Sequence, residues 1–283
     1  MIAAAEAVPE AVVAAAQAAG HPRFVLLDAG PELAQAVQNV LTKPLGFEPE
    51  VLALPEGVAS AAGLLRGGVG EAFLLPVDLE FGLFAKETLT SVTADLRRAA
   101  PGLEVCYDDV SLSHPLLVEA FSEAALQACG DGNVRERRGL LMVASGEGDP
   151  ASRAGVYGLM RNVWERVAAT RGEVAFLRHA TPFLRGELER VSREPLEWIV
   201  VPAMLERGER FEHLELILAD QLRNEPGAAF RLARPPGNHP AIVHWLAQRA
   251  LDLWRSKRQA EGLRARSAKS RTLAPARQCV ARE

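Results

Sequence analysis

Short apolar runs alternate with longer amphipathic stretches along almost the whole chain. Phe24–Leu27, Val51–Leu54, Ala72–Leu75, Leu103–Tyr107, Leu140–Ala144, Val174–Leu177, Ile199–Val201 and Phe230–Leu232 have the length and apolar continuity of buried strands. Between them Glu32–Leu41, Lys86–Ala99, Pro115–Cys129, Arg153–Ala169, Phe211–Leu222 and Pro240–Trp254 repeat apolar residues at helical spacing. Strands that alternate with helices predict an α/β protein with parallel sheets and crossover helices.

The pattern occurs twice. "FLLPVDLEFG" ends a strand with Pro76 and reaches Gly82 six residues on, and "IVVPAMLERG" does the same with Pro202 and Gly208. Likewise "SLSHPLL" and "PGNHPAI" place His114-Pro115 and His239-Pro240 ahead of matching helices. Spacing kept over this distance predicts an internal duplication. It divides the chain into a first domain at residues 1–132 with an extra amino-terminal helix over 1–20, and a second at 137–255. The junction falls in the charged "GDGNVRERRG".

A length of 283 residues agrees with two domains of ordinary size, and 48% hydrophobic with 24% charged residues describes a soluble globular chain. No apolar run approaches the roughly 18 residues of a membrane span. The Ala-rich start carries Glu6 and Glu10 in place of a basic leader, so the expected location is cytoplasmic. The net charge of −4 conceals a carboxy-terminal segment, residues 256–283, with a local charge of +6. That composition predicts a disordered basic tail, and nucleic acid is not the expected partner of the body. Cys106, Cys129 and Cys279 are scattered and odd in number, which fits neither a disulfide framework nor a Cys-ligated iron–sulfur cluster.

Candidate chemistry gathers where strands end. "GLLMVASGEGDP" runs from a strand into small and acidic residues, so Gly146 and Gly148 ahead of the next helix can expose backbone N–H groups to an anion. The turn lacks the Lys-Ser/Thr ending of a phosphate loop and the Gly spacing of a nucleophile elbow.

"GLLMVASGEGDPASRAGVYGLMRNVWERV", "VAFLRHATPFLRGELERV" and "WIVVPAMLERGERFEHLELI" resemble the CbiX-type sirohydrochlorin chelatases, and the first half resembles them from "FLLPVDLEFGLFAKETL" through "LSHPLLVEAF". The resemblance spans about residues 22 to 254. It implies two tandem chelatase-like α/β domains facing across a cleft, a tetrapyrrole partner, and insertion of Co2+ or Fe2+, the metal being a substrate. Insertion needs a few metal donors, exchangeable coordination positions and acceptors for two pyrrole protons, tasks that suit imidazole. The family places one His in the turn after the first strand and one two residues past the Gly of the third. Here those places hold Ser145 and Arg210 in the second half, and Phe84 in the first, whose opening turn offers Asp28.

The expected replacements are His213 with Glu212 and Glu147 as catalytic groups, His213 and His179 as metal ligands, and Ser145, Gly146, Gly148 and Arg210 as anion or tetrapyrrole contacts. The alternative is a chelatase-fold protein that binds a tetrapyrrole, a metal or a protein partner without turnover. His114 and His239, each before a helix-opening Pro, read as structural, and Trp164, Trp198 and Trp254 as core, lobe-interface or dimer anchors.

Overall fold

All eight strand-like runs form strands in the computed structural model. It describes residues 22–27, 29–54, 70–79, 89–91, 93–94, 97–98, 103–108, 112–130, 137–146 and 149–272, with side chains to 264. The elements are β1 (Arg23–Leu27), α1 (Pro31–Leu45), β2 (Glu50–Leu54), β3 (Glu71–Pro76), β4 (Glu104–Tyr107), α2 (Pro115–Cys129), β5 (Arg138–Ala144), α3 (Pro150–Val167), β6 (Arg171–Phe176), α4 (Leu184–Val191), β7 (Glu197–Pro202), α5 (Glu209–Asn224), β8 (Phe230–Leu232) and α6 (Pro240–Thr272).

They build two four-stranded parallel sheets with the same strand order, β2-β1-β3-β4 and β6-β5-β7-β8. The register aligns Leu27 with Pro76 and Val143 with Pro202. Ala29 and Ser145 therefore hold equivalent places, each two residues past the partner of a strand-ending proline. Pro76 and Pro202 are tolerated in central strands because they lie beyond the last pairs with β4 and β8, where no ladder donor is required.

Both faces of the second sheet are buried, which explains the continuous apolar runs. Leu140, Met142 and Ala144 point into a core shared with the first half, while Leu141 and Val143 pack with Leu184, Leu188, Leu214 and Leu218 of α4 and α5. Gly139 is required in this layer, since a Cβ there would lie 2.4 Å from Trp198 Cε3 on the neighbouring strand.

The terminal helix of each half covers the sheet of the other. α2 packs on α3, β7 and β8, whereas α6 packs on α1 and β3 and also meets α2. Trp245 and Trp254 of α6 are fully buried in the shared core, and Trp198 fills the layer beneath α4 and α5.

Helix starts are capped as their sequences dictate. His114 Nδ1 accepts the Leu116 amide (3.3 Å), His239 Nδ1 accepts the Ala241 amide (3.1 Å), and Asp149 Oδ1 accepts the Ser152 amide (2.9 Å), each ahead of a proline at the first helical position. Because Nδ1 of His239 is an acceptor, its Nε2 carries the proton donated to Glu123 on α2 (2.8 Å).

Two sequence expectations change. The segment from residue 256 is helical through Thr272, where composition predicts a disordered tail: Lys257 pairs with Glu71, Glu104 and Glu261, and Arg258 with Glu71 and Glu261. α4, in "LRGELERV", is a helix that the apolar periodicity does not predict. The expected helix over 1–20, part of Lys86–Ala99, and residues 273–283 lie outside the described residues.

Candidate site in the cleft between the halves

The carboxyl ends of β1, β3 and β7 open onto a cleft of about 400 Å3, the edge at which open α/β sheets take ligands. Ala29, Gly30, Val77, Asp78 and Leu79 line it from the first half, and Met204 through Phe211 from the second. Its apolar lining is Val77, Leu79, Met204, Leu205 and Phe211, and its charged groups are Asp78, Glu206 and Glu209 with Arg207 and Arg210.

Two polar contacts cross this cleft. Glu206 Oε2 accepts the backbone amide of Gly30, at the start of α1, at 3.0 Å. Arg210 Nη1, in the first turn of α5, donates to Asp78 Oδ2 at 3.0 Å. Asp78 lies two residues past the strand-ending Pro76, and Glu206 four past Pro202.

A third group holds the first-half wall. Arg249 of α6 donates to both carboxylate oxygens of Asp108 (2.9 and 2.8 Å), to the Pro76 carbonyl (2.8 Å), and lies over the Trp245 ring. The last carbonyl of β3, immediately before Val77 and Asp78, is thus fixed by the other half's helix. Sequence reasoning singles out neither Arg249 nor the Glu206 contact; their partners are 141 and 176 residues away, and local pattern carries no signal over such separations.

The expected site residues are spread over this edge. Arg210 lines the cleft, whereas Ser145 is buried and not among its lining residues, and Gly146 adopts a φ of 86°. A Cβ on Gly146 would lie 2.0 Å from the Arg178 carbonyl, and Ser145 O accepts the Arg178 amide (2.9 Å), so this turn is clasped by the segment after β6. His179 follows in that segment, exposed and with a φ of 55°. His213 is half-buried and Glu212 exposed one turn into α5; neither is among the cleft-lining residues, and neither is His179. Glu147, Gly148 and Asp28 lie outside the described residues. Among the described residues, the one group of three carboxylate, thiol or imidazole ligands within 4.8 Å of one another is Glu71, Glu104 and Glu261, at the opposite end of the first sheet and ion-paired with Lys257 and Arg258.

Burial lowers the basicity of His114 and outweighs the opposing charge of Asp252, with Arg249 acting in the same direction as burial. A neutral ring is what its capping role requires.

Two parallel sheets with crossed terminal helices and a cleft at their carboxyl edges define a two-lobed α/β fold of the chelatase type. Residues 139–253 match the CbiX family model. SirB from Bacillus subtilis, solved with Fe3+, superposes with a TM-score of 0.66 at 15% identity, over 85% of this chain and 98% of that one. The structure of CbiX, described as the terminal enzyme of siroheme biosynthesis in denitrifying bacteria, gives 0.57 at 18% identity, over 82% and 99%. DR2241 from Deinococcus radiodurans, described as a multi-domain protein with structural similarity to chelatases, gives 0.57 at 21% identity, over 82% of this chain and 54% of its own. No curated protein matches the chain in sequence. Among the described residues no helix is long and apolar enough to cross a membrane.

Proposed function

We propose that the chain is a CbiX-like metallochelatase, a lyase that inserts Co2+ or Fe2+ into sirohydrochlorin on the cytoplasmic route to cobalamin or sirohaem. The observation that carries this reading is the cleft: it is lined from both halves and combines apolar side chains with Asp78, Glu206, Glu209, Arg207 and Arg210. Apolar side chains suit the face of a macrocycle, and guanidinium groups suit its peripheral carboxylates.

The donor set differs from the imidazoles that the family resemblance implies. Carboxylates are adequate donors for divalent first-row ions, and an oxygen-only set holds them less tightly than one containing imidazole. Weak holding favours delivery of the ion to the ring. The same carboxylates accept the two protons that the pyrrole nitrogens lose. In this mechanism Glu206 and Glu209 face the incoming ion, Arg210 orients the pigment, and the Ser145–Gly146 turn with Gly148 supports its rim. The alternative mechanism uses His213 and His179 as metal ligands, with Glu212 and Glu147 as proton acceptors.

The absence of an imidazole among the described cleft-lining residues favours one further reading, a protein that binds the pigment or metal without turnover. Anaerobic sirohydrochlorin with Co2+, followed by absorbance with wild type, Glu206→Gln and a His179→Ala, His213→Ala double variant, separates the readings. Acceleration lost in Glu206→Gln supports the carboxylate mechanism, and loss in the double variant supports the histidine set. A spectral shift without acceleration leaves the binding reading, and neither shift nor acceleration rejects both.

A further inference from the structure

Arg210 and Asp78 come from different halves and meet across the cleft, with side chains 31% and 18% exposed. Beside them, Glu206 of the second half sits on the Gly30 amide of the first. Both cross-cleft contacts have the same chemistry: a carboxylate of the protein rests on a donor group, a guanidinium in one case and a helix-opening amide in the other. These donors face a cavity of ligand size.

Resting on the tetrapyrrole reading above, we propose that Asp78 is an internal competitor for Arg210, so that this pair sets the affinity and selectivity of the cleft for a polycarboxylate macrocycle. A peripheral carboxylate of the ring takes the place of Asp78 on Arg210. Guanidinium binds either carboxylate in the same planar geometry, so the exchange keeps the charge-assisted hydrogen bond while changing its partner. The displaced Asp78 is left beside the incoming anion, and its repulsion weakens binding. Ligands with too few carboxylates to displace it are excluded, which is selectivity by an opposing charge.

The test uses uroporphyrin, a polycarboxylate porphyrin, without metal, titrated by fluorescence into the full chain. A cationic N-methylpyridyl porphyrin of similar size is the control. Asp78→Asn should tighten uroporphyrin binding by about tenfold and Arg210→Met should weaken it by about tenfold, the range expected for one charge-assisted contact. In the Arg210→Met background the Asp78→Asn gain should vanish, because the gain comes from the guanidinium for which Asp78 competes. The cationic porphyrin should gain nothing from Asp78→Asn. Thermal midpoints of all variants establish that each is folded.

Unchanged or weaker uroporphyrin binding in Asp78→Asn overturns the proposal. So does a gain that persists without Arg210, which would be a general charge effect. If neither wild type nor Asp78→Asn binds uroporphyrin, the competition does not exist, whereas acceleration of metal insertion into sirohydrochlorin would stand independently.

Discussion

Arg249, in the first third of the last helix, forks onto both oxygens of Asp108 just past the end of β4, 141 residues earlier. The Arg249 side chain is only 9% exposed and also holds the Pro76 carbonyl, so the first-half wall of the cleft depends on a helix from the second half. Removing one partner of such a pair leaves an uncompensated buried charge, which costs more than the pair contributes when intact. Arg249→Met should therefore destabilise the fold by about 3 kcal/mol. Urea unfolding measures it; a loss below about 0.5 kcal/mol would place the pair among ordinary surface contacts.

The crossed packing of α2 and α6 predicts how the chain tolerates division. Residues 1–136 lack α6, which covers α1 and β3, and residues 137–283 lack α2, which covers β7 and β8. Each piece exposes apolar surface that only the other supplies. Expressed separately, both should be poorly folded by circular dichroism; expressed together, they should co-purify as an equimolar complex. Two independently folded, non-associating pieces would contradict the exchange.

His114 caps α2 through a neutral Nδ1, and burial lowers its affinity for a proton below that of a free imidazole. A group whose folded pKa is depressed contributes stability above its unfolded value, here 6.5, and loses it as pH falls through the folded value. His114→Ala should cost about 1 kcal/mol at neutral pH, and His114→Asn, a good cap without a titrating ring, much less. Wild type should lose stability relative to His114→Asn as pH falls below about 6.5. Parallel urea midpoints across that interval would contradict the capping account.

The strands are legible in sequence because both faces of the second sheet are covered, so that "LLMVA" and "IVV" read as unbroken apolar runs. His114-Pro115 and His239-Pro240 are legible as helix starts for a local reason, since cap and capped amide are two residues apart. α4 is hidden because eight residues containing Gly186 offer barely two turns of periodicity. Which sheet α6 covers is a long-range choice. The helical register of "AIVHWLAQRALDLW" shows an apolar face without naming its partner. Residues 256–272 look disordered on charge alone, but Lys257 and Arg258 pair with Glu71 and Glu104 at the far ends of β3 and β4.

The site divides in the same way. The Ser145–Gly146 turn directly follows β5 and Arg210 lies eight residues past Pro202, so both can be located from strand ends in the sequence. Glu206 and Asp78 lie on those same strand exits, but their role depends on partners 176 and 132 residues away. Gly146 carries a local requirement of its own. Its φ is 86°, and any Cβ there would come within 2.0 Å of the Arg178 carbonyl, so Gly146→Ala should force the turn apart. The expected cost is about 1–3 kcal/mol, with weaker pigment binding than in wild type. Thermal melts and absorbance titration measure the two effects, and an unperturbed variant would show that the turn can relax.

The proposed function requires a tetrapyrrole in the cleft lined by Val77–Leu79 and Met204–Phe211. Its most direct test is an anaerobic titration of metal-free sirohydrochlorin into wild type and Met204→Trp, which places bulk on the cleft wall. The account predicts a saturable, equimolar shift of the pigment spectrum in wild type that Met204→Trp loses while keeping its thermal midpoint. No shift in wild type, or equal binding in the folded variant, would contradict it.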